Sequence, residues 1–388
     1  MKTVSILVTG GGSSGHISPA LAVISALNEL AAQPNADWTP RYLYLGGKRG
    51  LEKNLVEAAG IPFYGVETGK LRRYFSRENF SDALRVPVGV AQALKQVRAF
   101  KPDVVLATGG YVAVPPVVAA WMLRVPVIIH EQTVQIGLAN RISARFATRI
   151  ALSSDSSLQD LTMKLKAKAF VAGNPVRPIV FGGDREEGRK WAGFASDDDD
   201  LPTIYVTGGS QGARIINRAI EDVLPPLLEN CRVVHQCGVQ PQGEEQDFDR
   251  LQRAGAALPP LLHRRYHLAR FIGDEIRDVY ALADLVVGRA GAGTINEVCA
   301  LGLPAIYIPL VPTRGDEQTR NARVCETEGA ATTLAQSDLN GQTLLNELKM
   351  LGDTNLLKKM GQAARTLARP DAARDMAQAV LALASRPV

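Results

Sequence analysis

Cysteine is scarce in this chain. Its four copies among 388 residues, Cys231, Cys237, Cys299 and Cys325, show neither CxxC spacing nor the density of a disulfide framework. That pattern excludes a zinc ribbon and fits inert, buried thiols in a reducing compartment. A membrane-spanning run is missing too. The longest apolar stretch, 112–129, is broken by three prolines and Arg124, short of the roughly 20 uninterrupted apolar residues that a spanning helix needs. Met1 leads directly into a strand pattern without the charged, apolar, then small-residue succession of a signal peptide, so secretion is not expected. Charge of one sign hardly dominates: 44 Lys and Arg face 39 Asp and Glu. Such mild basicity is compatible with phosphate-bearing ligands or an anionic membrane surface and requires neither.

What is present is a soluble globular composition, 46% hydrophobic and 21% charged, long enough for two domains. Short β-branched runs alternate with helical patterns: TVSILVTG, RYLYLGG, PDVVLATGG, VPVIIHEQ and TRIALSS read as strands of a parallel sheet covered on both faces. The rhythm restarts after GNPVRP at 173–178 with TIYVTGG, RVVHQCG, YHLARFIG, ADLVVGRAG and LPAIYIPL. The phrase VTGG occurs at 8–11 and again at 206–209, each time closing a strand and opening a helix, so the repeat unit is a whole domain. The expectation is an α/β protein of two Rossmann-like, doubly wound domains, 1–174 and 175–369, facing across a cleft. A closing helical segment at 370–388 could pack back on the first. The acidic run at 197–200 reads as a solvated loop, since four adjacent carboxylates repel one another.

The glycine loops carry the chemistry. Gly10, Gly12 and Gly15 satisfy GxGxxG between a strand and a helix, a dinucleotide pattern that is weak on its own. The second strand ends in RYLYLGGKRG and lacks the acid that would bind a dinucleotide's ribose. His16 follows the loop in the first turn of the helix, where free N–H groups attract anions. It could be a general base or only a packing imidazole. The second loop, GGSQGA, offers Ser210 and backbone donors to phosphate. In the third, GRAGAGTINEV, Glu297 stands three residues after Thr294, so the pair could hold a ribose, form a capping box, or both. The strand VPVIIHEQ ends in His130, Glu131 and Gln132, a polar triplet that needs partners.

Taken together, GGGSSGHISPALAV, KPDVVLATGGYVAVP, VPVIIHEQ, GNPVRP, GGSQGARIIN, RFIGDEI, GRAGAGTINEVCALGLPAIYIPL and DEQTRNA resemble, in order and spacing, the MurG N-acetylglucosaminyltransferases of peptidoglycan synthesis. The resemblance implies a GT-B fold. It also implies inverting transfer of N-acetylglucosamine (GlcNAc) from UDP-GlcNAc to the C4 hydroxyl of the muramic sugar of lipid I, giving lipid II, with no metal and no cofactor. It implies His16 as general base with Glu131 as runner-up, and Ser13, Ser14 and Gly15 as the loop for the acceptor's diphosphate. On the donor side it implies Ser210 with Ala292, Gly293 and Thr294 at the UDP phosphates, the Ile272 backbone at uracil, and Ile295 and Asn296 as further substrate-binding positions. Glu297 would hold the ribose, Gln318 the GlcNAc hydroxyls, and Arg177 would lie near the donor.

Two departures from the family pattern fall on the acceptor and sugar side. The family's TGGH is SSGH here, and the Asn that follows HEQ is Thr133, carried as a substrate-binding position. Acceptor choice is therefore the open point, and another GT-B transferase with a different glycolipid or natural-product acceptor is the alternative. Residues 71–88, which mix Leu71, Tyr74, Phe75 and Phe80 with Arg72, Arg73, Arg77 and Arg85, form an apolar patch ringed by base that can rest on an anionic leaflet, and the resemblance implies peripheral docking at the cytoplasmic side of the membrane, with Trp121 as a further patch position. The partners implied are UDP-GlcNAc, lipid I and an anionic membrane surface, not nucleic acid.

Overall fold

The computed structural model describes all residues except 13, 49–51, 70–77, 196–200, 241–245, 312–315 and 386–388, and gives backbone alone at 14 and 78–84. The acidic run, Ser13, the side chain of Ser14 and most of the basic and aromatic side chains at 71–84 thus lie outside the described residues.

The chain forms two compact units, Met1–Arg177 with Arg369–Val388, and Pro178–Ala368. In the first, seven parallel strands are ordered β3-β2-β1-β4-β5-β6-β7. They are β1 (Lys2–Thr9), β2 (Trp38–Gly47), β3 (Phe63–Val66), β4 (Val104–Ala107), β5 (Val127–Glu131), β6 (Arg149–Leu152) and β7 (Ala169–Val171). In the second, six parallel strands run β10-β9-β8-β11-β12-β13. They are β8 (Thr203–Thr207), β9 (Arg232–Gln236), β10 (Tyr266–Ala269), β11 (Leu285–Gly288), β12 (Ala305–Tyr307) and β13 (Ala331–Thr333).

The central strands are buried on both faces: Val104–Ala107, Val127–Ile129 and Leu285–Val287 are at most 1% exposed, as continuous apolar runs in helix-covered parallel sheets must be. One face of the first sheet packs on α1 (Ser14–Ala31) and the closing helix Ala372–Ala384, whose Met376, Ala377 and Val380 interleave with Ile17, Val23 and Leu27. The opposite face is covered by α3 (Glu78–Phe100) and α4 (Val114–Met122). Strands β3, β7 and β13 add to the ten read from sequence. Each stands at a sheet edge, is three or four residues long and is partly exposed, so it lacks the apolar run that marks an interior strand.

In each sheet the order reverses between two neighbouring strands, β1 and β4 in the first and β8 and β11 in the second. A doubly wound sheet opens its ligand crevice beyond the carboxyl ends of such a pair. The glycine loops occupy those two positions.

Candidate functional site

In the first unit, the end of β4 clasps the first turn of α1. The Thr108 hydroxyl donates to the His16 carbonyl at 2.6 Å, and the His16 Nδ1 lies 3.2 Å from the Thr108 carbonyl. A carbonyl only accepts, so Nδ1 carries the proton and Nε2 keeps its lone pair. Burial pushes the imidazole below its ordinary value, while the Glu131 carboxylate and the Thr108 bond pull it partly back. The ring is neutral at neutral pH, with its basic nitrogen defined.

The TGG sequence after β4 is the backing for this ring. Gly109 (φ +98°) and Gly110 (φ +79°) adopt backbone that favours glycine. A Cβ on Gly109 would stand 3.2 Å from His16 Nδ1, and one on Gly110 would strike the Gly11 carbonyl at 2.0 Å.

Glu131, 3% exposed, accepts four hydrogen bonds. Its Oε1 takes the Thr133 N–H at 3.0 Å, with the Thr133 hydroxyl at 2.8 Å, and its Oε2 takes the Gly137 N–H and the Asn140 amide, both at 2.9 Å. A carboxylate so engaged fixes the 133–137 loop and supplies counter-charge to His16. Its lone pairs are spoken for, which argues against proton transfer to substrate. Thr133 turns its hydroxyl inward, where its single proton is shared between Glu131 Oε1 and the Gln135 carbonyl at 2.7 Å. Gln132 donates to the Thr108 carbonyl at 2.8 Å, and His130 Nε2 lies 2.9 Å from the Gly173 carbonyl. All three members of the polar triplet therefore have partners.

An acid does stand near the end of β2, but it is Glu52 in α2 (Glu52–Ala58), completely buried, with Oε1 accepting the Gly47 N–H at 2.7 Å. Its carboxylate lies against the glycine loop, with Oε1 2.7 Å from where a Cβ on Gly11 would stand, and it is closed off from solvent.

In the second unit, the helix Ala292–Leu301 starts from Gly291, and no side chain caps it. This corrects the capping-box reading: Thr294 is already inside the first turn, and Glu297 accepts the Tyr280 hydroxyl at 3.0 Å instead. The first N–H groups, at Ala292, Gly293 and Thr294, thus keep the partial positive charge of a helix start. Gly291 and Gly293 have nothing within 4 Å of where a Cβ would stand. The chain itself does not require glycine there, and the missing side chains leave this turn open to close approach. Ile295 closes this turn on the Gly291 carbonyl at 3.0 Å, and Asn296 donates to the Ala292 carbonyl at 2.6 Å.

Around this helix start, Ser210 is exposed in the loop after β8, where Gly209 donates to Thr207 Oγ1 at 3.0 Å. Gln236 joins that loop to the next: its amide nitrogen reaches Thr207 Oγ1 at 3.2 Å, and its oxygen takes the Ile272 N–H at 3.0 Å. The Ile272 N–H is thereby committed, leaving its carbonyl as the backbone group for recognition. Gln318 accepts the Leu310 N–H at 3.0 Å. Arg177, half-buried, is the last residue of the first unit.

Sequence reasoning passed over Asn140, Thr108, Glu52, Tyr280 and Gln236 as contributors. Thr108 and Gln236 lay inside quoted runs, PDVVLATGG and RVVHQCG, but the Thr108 carbonyl, the part that acts on His16, has no residue-type signal.

Residues 6–152 match the glycosyltransferase family 28 N-terminal domain, and residues 203–376 match that family's C-terminal domain. The chain is similar to UDP-N-acetylglucosamine–N-acetylmuramyl-(pentapeptide) pyrophosphoryl-undecaprenol N-acetylglucosamine transferase 2 of Bacillus cereus, at 36% identity over 91% of this chain and 93% of that one. The transferase of the same description from Clostridium perfringens is 36% identical, with 90% of this chain and 91% of the relative covered. Among solved structures, that of Acinetobacter baumannii MurG matches with a TM-score of 0.71 and 26% identity, over 98% of this chain and 100% of that one.

Proposed function

Because the chain belongs to glycosyltransferase family 28 and, within it, to the MurG transferases, we propose that it moves GlcNAc from UDP-GlcNAc to the C4 hydroxyl of the muramic sugar of lipid I. The product is lipid II, with inversion at the sugar's anomeric carbon. The observation that carries this reading is His16, held as a neutral imidazole of defined tautomer beside the Glu131 carboxylate.

His16 Nε2 takes the proton of the C4 hydroxyl as that oxygen attacks C1 of GlcNAc. The bond from C1 to the UDP oxygen breaks, and its electron pair leaves with UDP. Positive charge then resides on His16, where Glu131 offsets it. The imidazolium later gives its proton to water. Glu131 acts by position and charge. The acceptor's diphosphate is received by the loop of Ser13, Ser14 and Gly15.

On the donor side, the N–H groups of Ala292, Gly293 and Thr294 receive the UDP diphosphate and stabilise the charge that builds on it as the bond breaks. Ser210, Ile295 and Asn296 complete that cradle. The Ile272 carbonyl meets uracil, Glu297 is oriented by Tyr280 toward the ribose, Gln318 meets GlcNAc hydroxyls, and Arg177 serves the donor.

Among the described residues, no helix is long and apolar enough to cross a membrane. Residues 71–88 and Trp121 would instead rest on the anionic cytoplasmic leaflet as a peripheral contact. In support, Trp121, Met122 and Val88 are 53%, 54% and 49% exposed on α4 and α3, and Arg124, Arg141 and Arg145 are exposed in the same unit.

Incubation with radiolabelled UDP-GlcNAc and a lipid I analogue tests the proposal. Label should move to the lipid fraction, and UDP should accumulate in equal amount. Transfer to other glycolipids with none to lipid I would instead favour the alternative acceptor that SSGH and Thr133 leave open.

A further inference from the structure

Two of the four cysteines, 26 positions apart in sequence, meet inside the second unit. Cys299 is the eighth residue of the helix Ala292–Leu301, which starts at the proposed diphosphate site, and Cys325 is the ninth of the helix Glu317–Thr327, which carries Gln318 in its first turn. The two helices pack on each other and run the same way from the crevice end of the sheet, following β11 and β12. At a rise of about 1.5 Å per residue, both cysteines stand roughly 10–12 Å along their helices. They are 4% and 2% exposed, and the Cys299 thiol donates a hydrogen bond to the Cys325 sulfur. The hydroxyl of Tyr307, buried close by at the end of β12, bonds to neither sulfur. The other two cysteines direct their protons to backbone instead: Cys231 donates to the Leu227 carbonyl at 3.3 Å and Cys237 to that of Gly238 at 3.6 Å.

We propose that Cys299 and Cys325 are a redox modification site, which peroxide joins in a reversible disulfide that weakens the nucleotide site. The inference rests on the donor site proposed above, since the helix that Cys299 would pull is the one whose first N–H groups receive the diphosphate. The hydrogen bond from Cys299 holds the Cys325 thiol below its ordinary value, whereas burial pushes the thiols of Cys231 and Cys237 up to about 12 and about 11. Cys325 is therefore the nucleophile. Its thiolate attacks one oxygen of hydrogen peroxide, the O–O bond breaks, and the hydroxide released takes up the thiol's proton as water, leaving a sulfenic acid on Cys325. The Cys299 sulfur then attacks the Cys325 sulfur, the S–O bond breaks, and hydroxide leaves with the Cys299 proton as a second water. Two electrons pass from the thiol pair to the peroxide. Hydrogen peroxide is little larger than water, which suits thiols with so little exposure. The new bond is about 2.05 Å long, shorter than a hydrogen-bonded contact between two sulfurs, so one helix must shift against the other behind the diphosphate turn.

The test uses the full chain, reduced or treated with hydrogen peroxide and then freed of it. Peptide mapping without reductant should find the peptides of Cys299 and Cys325 joined, with Cys231 and Cys237 still free thiols. Calorimetric titration should show the Kd for UDP raised about tenfold, the loss of roughly one charge-assisted hydrogen bond at the turn, and dithiothreitol should restore it. Cys299→Ala and Cys325→Ala should bind UDP as the wild type does and be insensitive to peroxide, while Cys231→Ala stays sensitive; mapping of the wild type carries the claim if a variant does not fold. Thiols that survive treatment or are lost without a joined peptide, a Kd for UDP that is the same with and without the cross-link, or equal sensitivity in Cys299→Ala overturns the proposal. Neither readout needs sugar transfer, which keeps the two claims apart. Reversible weakening of UDP binding in a chain that glycosylates no acceptor leaves the switch standing and the transferase reading refuted. Lipid I glycosylated by the cross-linked chain as fast as by the reduced one, with the same Kd for UDP, does the reverse.

Discussion

Gly293→Ala should make the second unit more stable and its nucleotide site worse. Gly293 is in the first turn of the helix Ala292–Leu301, with nothing of the chain within 4 Å of an added Cβ. Replacing glycine at a compatible helical position gains about 0.4–1 kcal/mol, mainly by restricting the unfolded chain. For a unit of this size that is a rise in Tm of roughly 1–4 °C. The same methyl group fills the space by which a diphosphate oxygen would reach the N–H groups of the turn. Losing one charge-assisted hydrogen bond costs about 1.5–3 kcal/mol, so the Kd for UDP should rise roughly tenfold to a hundredfold. Gly302, at the other end of the helix, is the control. It has φ +68°, and a Cβ there would meet Arg365 Nε at 2.4 Å, so Gly302→Ala should lower Tm and leave UDP affinity in the remaining folded protein unchanged. Calorimetric titration with UDP and thermal denaturation read both quantities. A Gly293→Ala variant that binds UDP as tightly as the wild type would refute the claim that this turn holds the diphosphate.

The remaining predictions concern the first unit, the membrane face and acid stability. His16 acts as a base when neutral and burial lowers its pKa, so kcat/KM should rise with pH through a midpoint below 6.5. Glu131 pulls that pKa up, so Glu131→Gln should move the midpoint further down; an upward shift would show that the two groups do not interact as described. Gly109→Ala puts a methyl group 3.2 Å from His16 Nδ1, so the ring must give by a few tenths of an ångström, and kcat should fall by less than the roughly hundredfold expected of a 1 Å displacement, with the KM for UDP-GlcNAc unchanged. Trp121→Glu should reduce sedimentation with anionic vesicles while transfer to a detergent-dispersed acceptor persists; unchanged vesicle binding would remove Trp121 from the membrane face. In the second unit, His235 lies 2.9 Å from the Tyr266 hydroxyl and 3.0 Å from Asn217 Oδ1, and burial depresses its pKa to about 3. The unfolded chain binds that proton first, so stability should fall as pH drops below 6.5, by up to about 1.4 kcal/mol per pH unit. Denaturant titrations at pH 7 and pH 5 read the slope, and His235→Gln should flatten it.

The strands that position both glycine loops were legible because each is a continuous apolar run buried on both faces. The edges β3, β7 and β13 were not, since a short half-exposed strand resembles a loop until its neighbour is known. His16 and Glu131 were legible because they close strands and open helices in quoted motifs. Their settings were not: the Thr108 carbonyl reaches His16 across 92 positions, and Tyr280 reaches Glu297 across 17. The capping box shows the converse failure. Thr294 and Glu297 have the right spacing for one, but the chain enters the helix at Gly291, and only the backbone dihedral angles of that entry reveal it.

A crystal structure with UDP-GlcNAc bound tests the account most directly. The diphosphate should lie on the N–H groups of Ala292, Gly293 and Thr294, with uracil at Ile272 and the ribose at Glu297. A uridine diphosphate bound at the loop beside His16 would contradict it.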